Sequence, residues 1–221
     1  MSDKMYPQIA LIPNCERESS SCEMIDFVLK DTLRRYETVT AGNRKYIAVD
    51  YDNAPDLASE PACDVIMIDR TQSEAEARER IELSRRVNRG SRIFIDKSDS
   101  FLKPQDLGGV LKVFTYSLND PDANFYAQKI RKNPNGEGYL FEVVFQANPS
   151  GKAGLLGVIL PALNKPVIFP VSISSDNKED VIHGVKCIAI GSAFNVENKY
   201  LNKSISRYDF SSASVKDSLE E

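Results

Sequence analysis

Two residue types on which metal and redox sites depend are scarce in this 221-residue sequence. There is one histidine, His183, which cannot supply a multi-histidine metal site. We expect it at a surface position on a helix. The four cysteines, Cys15, Cys22, Cys63 and Cys187, show no C-x-x-C spacing, so neither a zinc cluster nor a redox motif is indicated. We expect free thiols, the ordinary state of cysteine in the cytosol.

The sequence also lacks a strong excess of either charge. It contains 28 Lys and Arg against 32 Asp and Glu, a net charge of −4, and its basic residues are dispersed. The densest basic run, RRVNR at 85–89, is expected to be a solvated helix end rather than a binding site. The charge therefore gives no electrostatic reason to expect a nucleic-acid partner.

Long apolar runs are absent as well. No run approaches the length needed to cross a bilayer, and the start MSDKMYPQ lacks the charged region and apolar stretch of a signal peptide. We therefore expect a cytoplasmic protein with no membrane partner. A composition of 42% apolar and 27% charged residues at this length is typical of one globular domain, or at most two small ones, with a sizeable core.

The first half of the sequence alternates between two patterns. Short apolar runs that end in polar or acidic residues predict buried strands, and longer segments with helical spacing lie between some of them. The predicted strands are 9–14, 45–52, 63–70, 91–99 and 111–118, and the predicted helices are 19–36 and 73–87. This alternation predicts an α/β fold with a mostly parallel, doubly wound sheet.

The second half favours antiparallel structure. Residues 122–146 read as strand, Asn-Pro-Asn-Gly turn and strand, which predicts a β-hairpin. The apolar run 153–163 predicts a further strand, and 174–188 predicts a helix that begins with serine and acidic residues. Residues 204–221 are rich in Ser, Asp and Lys and predict a frayed tail after a single domain over 1–203.

The order of these segments matches that of a known family. In IALIPNCERESSSCEMI (9–25), an apolar strand, a polar loop and a helix stand where the family has a strand, a G-T-N-G-K-T-T-T phosphate loop and a helix. The other matching segments are RIFIDKSD (92–99), VFTYSLNDPDANFYAQKI (113–130), GYLFEVVF (138–145), ILPALNKPVIFPVSIS (159–174) and EDVIHGVK (179–186). Together they resemble the central, ATP-binding domain of the Mur ligases, in particular the UDP-MurNAc-tripeptide synthetase type.

The resemblance covers roughly residues 8–188 and rests on order and pattern more than on invariant motifs. It implies the Mur ligase central-domain fold, an α/β sheet with an antiparallel hairpin portion. The family's UDP-binding and amino-acid-binding domains have no room in 221 residues. The chain is therefore expected to be the middle domain alone or an excised fragment.

The resemblance implies a phosphate-binding loop, but the residues of that loop have changed. Glu18 stands at the position of the loop lysine, and Asn14 and Arg17 stand at the two loop glycines. A carboxylate repels a triphosphate, and side chains hinder the close backbone approach that glycine permits. Ser19, followed by Ser20, matches the hydroxyl that would hold magnesium, although serines here also fit a helix cap.

Other family positions have changed too. Asp69 falls near the glutamate that binds magnesium in the family, although an aspartate at a strand end is also a common turn residue. The catalytic histidine has no counterpart, and the carbamylated lysine falls near Arg80 or Ile81. Arginine cannot readily form a carbamate because its guanidinium stays protonated. Asn164 matches the asparagine on the adenine side, but Ala162 replaces the glycine before it.

These changes favour a degenerate domain that keeps the fold but not ATP turnover. We expect no catalytic residue and no cofactor. The expected role is non-catalytic binding, regulation or scaffolding in cell-wall precursor metabolism, through a protein partner or small ligand that the sequence does not identify. The alternative is a divergent ATP-dependent amino-acid ligase or nucleotide-binding enzyme of peptidoglycan precursor synthesis. It would use ATP and Mg²⁺ through Ser19, Asp69 and Asn164.

Overall fold

The computed structural model describes most of the chain, in seven segments. They are residues 8–12, 19–32, 37–41, 44–48, 63–107, 112–147 and 165–210. Contacts divide the chain into two compact units, Met1–Phe114 and Thr115–Glu221. Each unit has a core of its own, and the single domain that the sequence predicts over 1–203 stays a prediction.

The first unit is built on a mixed sheet in the strand order β2-β3-β1-β4-β5. Its strands are β1 (Gln8–Ile12), β2 (Glu37–Ala41), β3 (Arg44–Ala48), β4 (Cys63–Ile68) and β5 (Asn88–Asp96). Its helices are α1 (Ser19–Thr32), α2 (Glu74–Val87) and a 3-10 turn (Pro104–Leu107). Strands β1, β4 and β5 run parallel, whereas β2 and β3 form an antiparallel ribbon that joins β1.

The helices of the first unit follow from sequence spacing and capping. Helix α1 buries Met24, Ile25, Val28 and Leu29, which recur at the interval of one helical turn. At the start of α2, the backbone N–H of Glu76 donates to the Ser73 hydroxyl at 3.2 Å, and the Glu76 carboxylate accepts from the N–H of Gln72 at 2.8 Å. This reciprocal arrangement satisfies donors that the first helical turn would leave open.

The core of the first unit lies along β4 and β5. Residues 65–68 and 93–95 are buried without interruption, as expected for parallel strands covered on both faces. Ile66, Ile68, Ile93 and Ile95 form one cluster with Leu83 of α2 and with other apolar side chains. This packing fixes the strand ends from which the candidate site is built.

The second unit contains a smaller mixed sheet and two helices. Its strands are β6 (Val113–Ser117), β7 (Phe125–Lys132), β8 (Tyr139–Phe145) and β9 (Val167–Ile173), and its helices are α3 (Val181–Ala193) and α4 (Asn198–Ile205). Strand β6 pairs in parallel with β7, and β7, β8 and β9 are successively antiparallel. The predicted hairpin over 122–146 is confirmed as β7 and β8, and the α/β fold class with an antiparallel portion is confirmed with it.

Two glycines of the second unit lie where a side chain would meet a close neighbour. A Cβ atom on Gly184 would lie 2.7 Å from Cζ of Phe141, and one on Gly138 would lie 1.8 Å from the carbonyl oxygen of Ile173. Gly138 also has a φ of 88°, a conformation that other residues rarely adopt. These contacts show that Phe141 faces α3.

Several predicted features differ from the structure. His183 is buried on α3 rather than exposed, because Phe210 packs 6.3 Å from its ring and Asp180 lies beside it. The helix predicted over 174–188 begins at Val181, after a 3-10 turn at Lys178–Asp180, and continues to Ala193. The tail predicted from residue 204 starts inside α4, where Ser204 is buried. There, the packing of buried side chains extends the helix despite the polar composition of the segment.

Other predictions meet the limits of the described residues. The strand predicted over 153–163 lies outside them, as do Cys15 and residues 211–221. Cys187 is free and buried, so the prediction of a free thiol is confirmed at that position. Within the described residues, no helix is both long and apolar enough to cross a membrane.

Candidate functional site

The carboxyl ends of the parallel strands in the first unit meet at one edge of the sheet. Strand β1 ends at Ile12, which pairs with Ile68 at the end of β4, and Ile68 pairs with Ile95 near the end of β5. The segments that follow these strands therefore begin side by side. In open α/β sheets, ligands bind in the crevice outside the carboxyl ends of the strands. This edge is the candidate site.

Asp69 lies at this edge, directly after β4. It is buried, with 7% of its surface exposed, and it interacts with other groups of the protein. The next residue, Arg70, is exposed. The position that the sequence predicted for a magnesium-binding acid is thus at the strand edge, and the residue there already interacts within the protein.

A second buried carboxylate, Asp99, ties the segment after β4 to the segment after β5. It accepts hydrogen bonds from the backbone N–H of Thr71 at 2.7 Å and from the Thr71 hydroxyl at 2.8 and 3.0 Å. It also accepts from the N–H groups of Phe101 at 2.7 Å and Leu102 at 3.0 Å. We call this arrangement the Thr71–Asp99 clamp.

The clamp keeps Asp99 ionised despite its burial. Burial raises the pKa of this carboxyl, but the hydrogen bonds from the Thr71, Leu102 and Phe101 N–H groups and the Thr71 hydroxyl outweigh it, so the pKa lies below its ordinary value. Donors of the protein itself satisfy the negative charge of Asp99. Asp99 therefore holds two strand-end segments together rather than presenting a charge to a ligand.

The remaining acid at the end of β5, Asp96, is satisfied within its own turn. Its Oδ1 atom accepts from the backbone N–H and from the hydroxyl of Ser98, both at 2.7 Å. In the described part of the chain, no group of three or more His, Cys, Asp or Glu side chains is placed to hold a metal ion.

The two residues nearest the family's lysine position have structural roles on α2. Arg80 forms an ion pair with Glu76 one turn earlier, with Nη2 and Oε1 3.2 Å apart. Ile81 packs against the apolar cluster of the first unit. Neither side chain offers an amine to the strand edge.

None of the other four predicted site residues has a side chain among the described ones. Asn14 and Asn164 lie outside the described residues. Ser19 and Ser20 form the first turn of α1, as predicted, but only their backbone is described. The start of α1 and Asp69 therefore belong to the same unit, and the phosphate contacts proposed for these residues stay predictions.

The sequence analysis missed the Thr71–Asp99 clamp. A signal for half of it exists in IDKSD (95–99), where two acids flank a lysine and a serine after a strand, a typical turn composition. The partner, Thr71, is 28 residues away in sequence. No local pattern indicates that contact.

Solved structures of Mur ligases share this fold. A UDP-N-acetylmuramoyl-L-alanyl-D-glutamate–2,6-diaminopimelate ligase matches 94% of this chain with a TM-score of 0.63 and 12% identity. UDP-N-acetylmuramate:L-alanyl-gamma-D-glutamyl-meso-diaminopimelate ligase from Neisseria meningitides matches 94% with a TM-score of 0.61 and 11% identity. MurF from Acinetobacter baumannii matches 91% with a TM-score of 0.57 and 12% identity.

These similarities establish a Mur-ligase-like fold. The chain spans 47%, 68% and 46% of the lengths of those three proteins, respectively. No protein-family model and no curated protein sequence matches the chain. At such low identity the likeness describes the fold and leaves the activity to be inferred from the residues.

Proposed function

We propose that this chain is a degenerate Mur-ligase-like domain, related to the UDP-MurNAc-tripeptide synthetase type, with a non-catalytic binding, regulatory or scaffold role in cell-wall precursor metabolism. The observation that carries the proposal is the Thr71–Asp99 clamp. In this clamp, a buried carboxylate at the strand edge accepts hydrogen bonds from the protein's own backbone and from the Thr71 hydroxyl.

The residues of the phosphate loop support the same proposal. Glu18 stands where the family has its lysine, and neither loop glycine is present. The carboxylate would repel the phosphates that the lysine attracts. Arg80 and Ile81, at the family's carbamylated-lysine position, stabilise α2 and the core. Each change removes a different part of the ATP-dependent chemistry.

Calorimetry with ATP and Mg²⁺, together with a phosphate-release assay, tests this proposal. We expect no saturable ATP binding up to millimolar concentration. We also expect no phosphate release in the presence of UDP-MurNAc-dipeptide and amino acids. A pull-down from a cytoplasmic extract that recovers a cell-wall enzyme at fixed stoichiometry is the expected result for a scaffold. Turnover at ordinary ligase rates would contradict the proposal.

One observation favours a second function, a divergent ATP-dependent ligase or nucleotide-binding enzyme. Asp69 is a buried acid at the carboxyl end of a parallel strand, a position at which a carboxylate can hold a cation. Under this function, Ser19 and Asn164 would join it. Micromolar ATP-Mg²⁺ binding that Asp69→Ala abolishes, while the circular dichroism spectrum is unchanged, would establish this function instead.

A further inference from the structure

A cleft of about 510 Å³ lies in the second unit. Because Phe141 faces α3 and side chains alternate along a strand, Leu140 and Glu142 lie on the opposite face of the β7–β8–β9 sheet. The residues that line the cleft include Arg131, Leu140, Glu142, Pro170, Ser172 and Asn202. The cleft therefore combines an apolar floor with a small number of polar side chains, as small-molecule sites do.

Strand register places the polar residues of the cleft close together. Arg131 pairs with Leu140, and Leu140 pairs with Ser172, so these three residues form one row across the strands. Asn202 of α4 lies at the end of that row, where its Oδ1 atom accepts from the N–H of Ser172 at 3.0 Å. A guanidinium, a hydroxyl and an amide therefore line one cleft.

An irregularity in β7 brings Arg131 to this face. Gln128 pairs with Glu142 and Arg131 pairs with Leu140, so three steps along β7 match two steps along β8. Without the extra residue of this bulge, Ile130 would occupy the place of Arg131. The bulge contains Lys129 at a φ of 53°, a conformation that is unfavourable for a residue other than glycine. The backbone is thus strained beside the residue, Arg131, whose side chain the bulge directs into the cleft.

Three side-chain donors of the cleft have no acceptor in the described part of the chain. Among the described residues, none accepts a hydrogen bond from the Arg131 guanidinium, the Ser172 hydroxyl or the Asn202 side-chain amide. Glu142, in contrast, accepts from Lys129 at 3.0 Å and from Gln128 at 2.9 Å. Lys129, and more weakly Arg131, lower the pKa of Glu142, so two cations face one carboxylate and the cleft keeps one net positive charge.

We propose that this cleft binds a carboxylate carried on an uncharged, partly apolar body. Arg131 supplies the two parallel N–H donors that match a carboxylate, Ser172 and Asn202 supply further donors, and Leu140 and Pro170 contact the body. One net positive charge suits a monoanion better than a phosphate dianion, which Glu142 would repel more strongly. A free carboxylic acid and the C-terminus of a peptide share this chemistry.

Nuclear magnetic resonance titration of the full chain tests the proposal with N-acetylleucine and N-acetylleucinamide, which differ only in the carboxylate. We expect saturable shifts of the amide signals of Leu140, Ser172 and Asn202 with the acid and none with the amide. Equal shifts with both compounds, or no saturable shift with the acid, would overturn the proposal. Tighter binding of inorganic phosphate than of N-acetylleucine would overturn it as well.

Two charge-neutralising variants show whether the site is specific. Arg131→Gln should weaken N-acetylleucine binding by about tenfold or more, since it removes the paired donors. Lys132→Gln is the control because it removes the same charge from the next residue, which pairs with Asp176 at 2.8 Å and lies outside the cleft. The control should bind like the wild type. An equal loss in both variants would reduce the effect to general charge attraction and contradict a built site.

A peptide arm identifies the source of the carboxylate. If N-acetyl-Ala-Ala-Leu binds at least as tightly as N-acetylleucine, the cleft accepts a peptide C-terminus. If the peptide does not bind, the cleft takes a small free acid. In both cases, Arg131→Gln must weaken the observed binding if Arg131 is the carboxylate contact.

Discussion

At the residue scale, the Thr71–Asp99 clamp shows how one buried charge can organise a strand edge. Asp99 is 1% exposed, yet it accepts hydrogen bonds from three backbone N–H groups and one hydroxyl. A buried carboxylate without such donors would cost several kcal/mol of folding free energy. The donors come from both sides of the edge, so the charge that they stabilise also fixes the distance between them.

Thr71→Val should measure the part of the clamp that the side chain provides. Valine keeps the shape and the backbone N–H of residue 71 but removes the hydroxyl donor, so we expect the free energy of unfolding to fall by about 1–2 kcal/mol. Urea denaturation followed by circular dichroism gives the value. Thr32→Val is the control, because that hydroxyl only donates back to the Val28 carbonyl within α1. A loss no greater than in the control would show that the hydroxyl adds nothing to the clamp.

Individual site residues were only partly predictable. Asp69 was identified because it follows an apolar run, a local signal that places it at a strand end. His183 was expected at the surface because one histidine on a polar-looking helix gives no sign of the Phe210 ring that covers it. Thr71 was missed for the same reason. Contacts between residues distant in sequence leave no periodic pattern.

At the element scale, the second unit protects and shapes its antiparallel sheet. Helix α4 lies along β9, where Asn202 accepts from the N–H of Ser172, a backbone donor that has no strand partner among the described residues. Strand β7 carries the bulge that brings Arg131 to the cleft face. Edge covering and bulges both limit unwanted strand pairing. The cleft lies between helix α4 and the bulge of β7.

The bulge should respond to the conformational preference of residue 129. Lys129→Gly and Lys129→Val both remove the exposed ion pair with Glu142, so the difference between them reports the backbone. Glycine adopts a φ of 53° freely and valine does not, so we expect Lys129→Val to be less stable by about 1–3 kcal/mol. Thermal and urea unfolding provide the comparison. Equal stabilities would mean that the positive φ carries no strain.

Elements with strong local patterns were predicted, and weak ones were not. The sequence shows the continuous apolar runs of β4 and β5, the helical spacing of α2 and the β7–β8 hairpin. The β2–β3 ribbon was not predicted as a pair, although Gly42-Asn43 between its strands is a typical two-residue turn sequence, because the short segment ETVTA has only one large apolar residue. Helix α4 was missed because its composition is mostly polar.

At the scale of the whole molecule, the order of strands and helices was the most predictable property. It led to the Mur-ligase-like fold that the solved structures share. The division into two units was not visible, since no linker composition marks the boundary at Phe114 and Thr115. The cleft was not visible either, because it depends on a bulge and on a helix that the sequence analysis did not predict.

Each unit contains one buried or partly buried aspartate whose ionised form stabilises the fold. Asp99 serves the first unit. In the second unit, burial raises the pKa of Asp180. Two neighbours lower this pKa by more than burial raises it: His183, with Nε2 3.7 Å from Oδ1, and the Ser175 hydroxyl, which donates to the carboxylate. The pKa of Asp180 therefore lies below its ordinary value. A carboxyl whose pKa is lower in the folded state binds protons more weakly there than in the unfolded chain. Its stabilisation is complete above the unfolded value and is lost as the pH falls through the folded value.

The whole molecule should therefore lose stability in acid, and the two aspartates should account for part of the loss. The unfolded pKa of aspartate is about 3.9, so the loss should begin near pH 4 and deepen toward pH 2. The Asp99→Asn and Asp180→Asn changes share no hydrogen-bond partner, so their effects should add. We expect the double variant to be less stable at pH 7 but to lose less stability between pH 7 and pH 3, as measured by urea denaturation at both values. Asp122→Asn, an exposed control whose carboxylate accepts no hydrogen bond from the described residues, should behave like the wild type. A double variant with the full wild-type loss in acid would show that neither carboxylate sets the pH dependence, and that other groups destabilise the fold at low pH.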